Sequence, residues 1–510
     1  MTKDEMSYAS DQHLLNLFDK LSDETEWDHP QRYSLDDPSR AGGAVQQSRE
    51  FGKLAKDDPE RFLRLLPQFE PQKHESYAGE AIEDLAETDF PASELIQIIE
   101  QLDQRDFASE GFRSEVAHAL EKIARRNHGL PKSALDLLER WLPEHSQPAL
   151  EHHRSSESSH SDLKSPVLFN VTSSHFLPGG RGNIVRAIAE GYLNQEPPDR
   201  EGWANFIKSQ LGKEPHPAVW VDILQRMPSL LNGDRQEATA LLDQVIRNCS
   251  EVLQYSWANY IIARAIGWFD PQETVQAWLE ILENYYPSDF ARQAYGELLL
   301  IQYLQYQDEW SKARIYRHLN SQCNEAILCG LAHAASNLCS QRRCRKISAD
   351  ILRVLANSSN EPIQRAVASV FHWNRDNFRL DSGMVQVIQA VCQNQKILLE
   401  SANDLVEIIE EEKLVEYSPQ IVVEVFSNLL EIGKELTNPA RSTVLIAESL
   451  TTLSIQLHRQ DAYRETGLKL FEKLLALNLR ETQAALETLD RRPGKTAVSF
   501  RPPRRRRRRK

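Results

Sequence analysis

Apolar side chains recur along most of this chain at the spacing of amphipathic helices. Alternating runs of β-branched and polar residues, which would indicate half-buried strands, are essentially missing. In the segment that follows Asp270, the apolar positions repeat every three or four residues along one helical face, at Val275, Trp278, Leu279, Leu282 and Tyr286. This pattern predicts an all-α fold.

Small residues stand at one fixed interval within the helical pattern. Five of them are 36 positions apart, namely Ala258, Ala294, Gly330, Ala366 and Ala402. Ala81 and Ala117 share this spacing, and Ala187 lies 71 positions before Ala258. Such an interval is typical of stacked helix pairs, in which small side chains let crossing helices approach closely. We therefore predict an α-solenoid with a period of about 36 residues.

Prolines mark several predicted helix starts, because a proline in the first turn loses no hydrogen bond and has a suitable φ. The dipeptides concerned are Asp270-Pro271, Glu361-Pro362, Ser418-Pro419 and Asn438-Pro439. Together with changes in composition, these starts divide the chain into five segments. We predict an irregular N-terminal segment, helical repeats, a Ser- and His-rich mobile insertion loop, further repeats and a disordered basic tail, at residues 1–40, 41–143, 144–177, 178–490 and 491–510.

Charge is distributed unevenly along the chain. The 510 residues carry 60 basic and 74 acidic side chains, a formal net charge of −14. Residues 491–510 hold eleven of the basic side chains and no acidic one, so the preceding part is strongly acidic. Seven consecutive cations close the sequence, at Arg504, Arg505, Arg506, Arg507, Arg508, Arg509 and Lys510.

The cationic run attracts phosphate backbones, anionic lipid or an acidic protein surface. Three interpretations stay open: nucleic-acid binding, contact with an acidic surface of this chain or of a protein partner, and no function. A second basic group, Arg342, Arg343, Arg345 and Lys346, is either a weak contact site for phosphate or an acidic partner, or a solvated turn between helices. The run Glu410-Glu411-Glu412 predicts a solvated helix end.

Motifs for catalysis or cofactor binding are weak. Gly494-Lys495-Thr496 resembles the end of a P-loop, but Leu489 stands where a phosphate-wrapping glycine is required. The glycine-rich segment 178–183 suits either an anion site at a helix N-terminus or a flexible entry turn. We predict no enzymatic activity and no cofactor.

Histidine and cysteine clusters do not have the spacing of metal sites. A Ser-rich loop would not hold ligands in a tetrahedron, so we expect solvated side chains at His145, His152, His153 and His160. The chain has six cysteines and no C-x-x-C pair, which predicts core or interface thiols in a reducing compartment. No segment is apolar enough to span a membrane, and no signal peptide is evident near Leu14–Phe18. We expect a cytoplasmic protein.

Two six-residue segments, Ile184-Val185-Arg186-Ala187-Ile188-Ala189 and Ile363-Gln364-Arg365-Ala366-Val367-Ala368, resemble second helices of the HEAT-repeat family, which has an ARM-type fold. This resemblance covers roughly residues 41–490 and implies a superhelical scaffold that binds macromolecules along a concave face. The segment from Arg40-Ala41-Gly42-Gly43 through Asp57–Phe62 is also similar to the C-terminal helical-repeat sensor regions of large bacterial signalling NTPases of the STAND/NACHT type. That similarity implies a sensor module, with any NTPase acting in trans, because this sequence contains no nucleotide-binding domain.

The function that we expect from the sequence is a non-enzymatic scaffold or sensor module. It would bind a protein partner along an extended curved surface, through a few exposed aromatic and arginine side chains. The alternative is a nucleic-acid-associated protein that is tethered through the Arg-rich tail.

Overall fold

The protein structure, a computed structural model, describes residues 1–20, 43–146, 165–169, 179–268, 272–285, 288–321, 324–432, 444–477 and 482–483. Every regular element within these ranges is a helix, which confirms the all-α prediction for the described part of the chain. The chain divides into two compact units. Unit 1 comprises residues 1–162 and 167–298, and unit 2 comprises residues 163–166 and 299–510.

Unit 1 is built from α-helices of five to seventeen residues and the first part of a longer one. In chain order they are α1 (Lys3–Tyr8), α2 (Asp11–Phe18), α3 (Ala44–Asp57), α4 (Pro59–Leu65), α5 (Glu75–Leu85), α6 (Ala92–Gln104), α7 (Glu110–Arg126), α8 (Lys132–Trp141), α9 (Arg181–Leu193), α10 (Arg200–Gln210), α11 (Pro217–Gln225), α12 (Met227–Leu231), α13 (Arg235–Asn248), α14 (Ser256–Ala265), α15 (Glu273–Tyr285) and the start of α16 (Asp289–Tyr306). Short 3₁₀ turns span Leu66–Gln68, Leu142–Glu144, Ser250–Gln254 and Ile266–Trp268.

The helices of unit 1 pack in two rows. Within a row, each helix contacts a helix that is two or three positions further along the chain. The first row runs α3, α5, α7, α9, α11 and α14, and each member contacts the next. In the second row, α6 contacts α8 and α10 contacts α13. Helices such as α6 and α8 bury one apolar face, whereas α9 and α11 are buried on nearly every side.

The two N-terminal helices close one side of this core. Phe18 of α2 stacks on Tyr77 of α5, with ring centroids 3.9 Å apart, and lies edge-on to Phe51 of α3. Arg61 of α4 is buried and donates from Nη1 to the Met6 carbonyl oxygen at 3.0 Å. Residues 3–18 are therefore mostly helical and anchored, although they fall within the segment predicted to be irregular.

Unit 2 contains the end of α16 and ten further α-helices within the described residues. These are α17 (Glu309–Ser321), α18 (Glu325–Leu338), α19 (Arg345–Leu355), α20 (Glu361–Asn374), α21 (Ser382–Cys392), α22 (Gln395–Glu411), α23 (Leu414–Tyr417), α24 (Pro419–Ile432), α25 (Val444–His458) and α26 (Arg464–Ala476). Short 3₁₀ turns span Arg375–Asn377 and Asp461–Tyr463.

Unit 2 repeats the two-row packing. In one row α18, α20, α22 and α25 contact one another in succession, and in the other row α19, α21, α24 and α26 do so. Polar side chains fix the register between neighbours, since Asn374 Nδ2 donates to the Ser336 carbonyl oxygen at 2.7 Å and Asn394 Nδ2 to that of Ala356 at 3.0 Å.

Most of the evenly spaced small residues lie in the rows that these contacts define, whereas Ala294 is on α16, which belongs to neither row as described. Ala81, Ala117 and Ala187 are on α5, α7 and α9, and Gly330, Ala366 and Ala402 are on α18, α20 and α22. All six are buried. Their burial shows that these small side chains lie in the core of each unit.

Two of the predicted helix starts lie within the described residues, and both have proline in the first turn. The helix α24 begins at Pro419, and Pro362 is the second residue of α20. Asn360 caps α20, and its Oδ1 accepts from the Ile363 N–H at 3.2 Å. Asp270-Pro271 and Asn438-Pro439 lie outside the described residues.

A fully buried carboxylate holds part of the predicted insertion. Val167 and Leu168 each donate a backbone N–H to Glu297 of α16 at 2.8 Å. Burial raises the pKa of Glu297 to about 7, although both hydrogen bonds oppose that shift. Most of residues 144–177 lies outside the described residues, so the predicted loop stays a prediction there.

Candidate functional site

The cationic tail, Arg504 to Lys510, lies outside the described residues, and so does Gly494-Lys495-Thr496. The second basic group forms the turn before α19 and its first residues. Arg342, Arg343 and Lys346 are exposed there. Arg345 instead donates from Nη2 to the Ser340 carbonyl oxygen at 2.8 Å and pairs with Asp381 at 3.3 Å. Arg345 therefore holds the turn together, while a surface contact by the other three stays a prediction.

The glycine-rich turn before α9 uses its own carbonyl oxygens. Gly179 and Gly180 have φ values of +67° and +50°, a region that favours glycine. The N–H groups of Arg181, Gly182 and Asn183 donate to the carbonyl oxygens of Ser146, Gly179 and Gly180 at 2.9 to 3.1 Å. These amides are thus engaged within the chain, which favours the entry-turn interpretation.

The histidines and cysteines that the sequence analysis named can now be compared by their burial. The prediction of a solvated side chain is wrong for His145, which is only 4% exposed and lies 3.2 Å from Ser114 Oγ. The other three histidines of that cluster and Cys323 lie outside the described residues. Four cysteines are buried free thiols, namely Cys329, Cys339, Cys344 and Cys392. The free thiol of Cys249 is half-buried.

The acidic run at the end of α22 is less solvated than predicted. Glu410 is half-buried and accepts a hydrogen bond from Ser449 Oγ of α25 at 2.8 Å. Burial raises the pKa of Glu410 above its ordinary value, and neighbouring carboxylates add to the shift. Glu412 is exposed, as predicted.

An ion-pair ladder, which the sequence did not reveal, connects the first row of unit 1. We use the term ion-pair ladder for the pairs that join side chains on or next to α3, α5, α7, α9 and α11. Between α3, α5 and α7 the nitrogen–oxygen distances are 2.7 to 3.3 Å, in the pairs Arg49–Glu80, Lys56–Glu87, Lys122–Glu83 and Lys122–Glu87. From α7 to α11 they are 3.2 to 3.8 Å, in the pairs Arg125–Glu190, Arg186–Glu121, Arg186–Asp222 and Arg226–Glu190.

Asp222 is the most deeply buried member of the ladder. Its side chain is 0% exposed, and neither carboxylate oxygen has a hydrogen-bond donor among the residues that the structure describes. The nearest cations there are Arg186 and Arg226, each with a nitrogen 3.8 Å from Asp222. Burial raises the pKa of Asp222 to about 7, because two arginines at this distance do not offset the loss of water.

Two glutamates and a histidine meet in the middle of the ladder. Glu115 and His118 are three residues apart on α7, and Glu83 faces them from α5. One ligand atom from each lies within 4.8 Å of the other two. Burial and the hydrogen-bonded Glu83 carboxylate raise the pKa of Glu115 to about 9. Although burial opposes it, hydrogen bonding to Glu115 and Lys122 lowers the pKa of Glu83.

Unit 2 presents a different polar surface, the α20–α22 patch, which comprises His372, Trp373, Arg375, Asp404, Glu407 and Glu411. The Trp373 ring is 37% exposed and lies edge-on to His372, with centroids 5.2 Å apart. Arg375 pairs with Glu411 at 3.0 Å and also with Glu407, and His372 Nδ1 lies 3.5 Å from Asp404. Tryptophan and arginine are among the residue types that are enriched at protein interfaces, and the carboxylates give the patch a negative charge.

Within the ranges that the structure describes, every helix is too short or too polar to cross a bilayer. Comparisons with protein-family models and with curated proteins found no match to this chain.

Proposed function

We propose that this protein is a non-enzymatic helical-repeat scaffold, an α-solenoid of the HEAT type, that binds a protein partner on the surface of successive helices. The α20–α22 patch carries the proposal. It combines a part-exposed tryptophan with carboxylates that outnumber their arginine partner. We propose a partner segment rich in Arg or Lys, whose cations would pair with Asp404 and stack on the Trp373 ring.

The solenoid itself is supported by the spacing of contacts between neighbouring helix pairs. Side-chain hydrogen bonds from one pair to the next span 33 residues from Ala108 to Glu75, and 38 residues from Trp141 to Asp103 and from Asn374 to Ser336. These separations are close to the 36-residue interval of the small residues. A repeated separation of this kind is what stacking of similar units produces.

The test starts from the full chain as bait in lysate of its native cells. The captured partner is then purified and titrated against the wild type, Trp373→Ala and a matched control. Because truncation of a central interface tryptophan costs about 2 kcal/mol or more, we expect Trp373→Ala to weaken binding roughly 30-fold. The control Tyr316→Ala removes a ring on α17 that is 48% exposed, and it should change affinity less than twofold.

Equal affinities for the wild type and Trp373→Ala would show that the patch is not the binding surface. Equal losses in both variants would point to non-specific apolar contact and would likewise contradict the proposal. Circular dichroism of each variant checks that the helices are retained.

A further inference from the structure

We propose that Glu83, Glu115 and His118 bind a divalent transition-metal ion of the class of Zn²⁺. The three side chains stand on two packed helices of unit 1, so their positions do not depend on a loop. The Glu115-x-x-His118 spacing puts both side chains on one face of α7, and Glu83 approaches them from α5. A Glu-x-x-His pair with a carboxylate from a neighbouring helix is a donor set that binds metal ions within helical bundles.

The two distances from His118 suit a shared ion better than direct hydrogen bonds, whereas Glu83 and Glu115 share a hydrogen bond that the ion would replace. His118 Nδ1 lies 3.9 Å from Glu83 Oε1 and 4.0 Å from Glu115 Oε2, too far to donate to either. Ligands that bind Zn²⁺ at 2.0–2.1 Å in a tetrahedron are about 3.4 Å apart. Small rotations of the partly exposed side chains would bring the nitrogen and the two oxygens to that spacing.

The donor types select the class of ion. One imidazole nitrogen with two carboxylate oxygens suits Zn²⁺ and its first-row neighbours, whereas Mg²⁺ and Ca²⁺ prefer oxygen ligands alone. Three protein ligands leave room for water, since each side chain keeps between 21% and 34% of its surface exposed. The surrounding charge is mixed. Glu80 and Asp84 interact electrostatically with Glu115 and Glu83, whereas Arg49 also acts on Glu115 and Arg186 Nη2 lies 3.5 Å from His118 Nε2.

Lys122 is the competitor that such an ion must displace. Its Nζ lies 2.9 Å from Glu83 and 2.7 Å from Glu87. When a metal ion occupies the triad, Lys122 can release Glu83 and keep Glu87. This competition provides a test by gain of affinity, because Lys122→Met removes the rival cation and leaves all three ligands in place.

The experiment titrates the full-length, chelator-treated protein with Zn²⁺ alone, and follows Co²⁺ binding by its visible absorption. We expect Glu115→Gln and His118→Gln each to weaken one equivalent of binding at least tenfold, and Lys122→Met to strengthen it severalfold. The control His128→Gln alters a histidine that lies beside a carboxylate, Glu196, and should leave that equivalent unchanged. Mg²⁺ should compete poorly.

Two results would overturn the proposal. One is that Glu115→Gln, His118→Gln and Lys122→Met all bind Zn²⁺ with the affinity of the wild type. The ion would then be bound by other histidines. The other is no Zn²⁺ or Co²⁺ binding by the wild type or by Lys122→Met. Because Lys122→Met is judged by tighter binding, an unfolded variant cannot mimic the expected result.

Discussion

Replacing Asp222 by Asn tests whether burial or ion pairing governs the ladder. The Asp222 carboxylate is completely buried without a hydrogen-bond donor from the described part of the chain, and burial raises its pKa from 3.8 to about 7. A pKa that is higher in the folded state means that the folded protein holds the proton more tightly. This contribution to stability is fully present below pH 3.8 and is lost as the pH rises to about 7.

The size of the effect follows from the shift. About three pH units at 1.36 kcal/mol each amount to roughly 4 kcal/mol. The asparagine amide would resemble the protonated acid in shape and would not titrate. We therefore expect Asp222→Asn to match the wild type near pH 4 and to be more stable by an amount of that order at pH 8.

Thermal unfolding followed by circular dichroism at pH 4, 6 and 8 measures this difference. For a unit of this size, about 4 kcal/mol corresponds to an increase in Tm on the order of 8 °C at pH 8. Comparing variant and wild type at each pH cancels the titration of other groups. A lower Tm for Asp222→Asn at pH 8 would refute the reasoning, because attraction to Arg186 and Arg226 would then outweigh the cost of burial.

Three further predictions concern packing, the buried carboxylate and the tail. Ala366→Leu should lower the free energy of unfolding by about 1–3 kcal/mol through overpacking, whereas the exposed Ala240→Leu on α13 should change it by less than about 0.5 kcal/mol; denaturant unfolding measures both, and equal effects would contradict the packing role. Glu297→Gln leaves one backbone N–H without its carboxylate acceptor, so hydrogen exchange at Leu168 should accelerate about 5- to 150-fold for a loss of about 1–3 kcal/mol, and unchanged exchange would show that the contact is dispensable. Deleting residues 491–510 should abolish any salt-sensitive retention on DNA or RNA, and retention at moderate salt without them would exclude the tail as the nucleic-acid contact.

The sequence predicted the helical class and the buried small residues because both depend on local periodicity. Ala117 and Ala366 could be placed in the core from their spacing alone, and their burial agrees with that placement. Within the segment predicted to be irregular, a short amphipathic stretch at residues 11–21 indicates α2. Its anchoring could not be predicted, because it depends on the aromatic partners of Phe18 on α3 and α5.

The ladder and the metal triad could not be predicted in the same way. Lys56 and Glu87 are 31 residues apart, and Lys122 and Glu83 are 39 apart. Whether such residues meet depends on the rotational phase of two helices and on the length of the connection between them. The Glu115-x-x-His118 spacing is the one local signal of the metal triad. It indicates a metal site only together with Glu83, which the fold places opposite on α5.

The ladder and the α20–α22 patch differ in how much of their side-chain surface is still exposed to water. In unit 1, Arg186 keeps 6% of its side-chain surface exposed and Asp222 none, and both are committed to neighbouring helices. Buried pairs of this kind add little net stability but penalise any slip of one helix against the next. In unit 2, His372 keeps 63% of its side-chain surface and Trp373 is 37% exposed. A partner gains more from covering side chains that are still in water than from side chains already desolvated. For this reason we propose the α20–α22 patch, and not the ladder, as the surface for a partner.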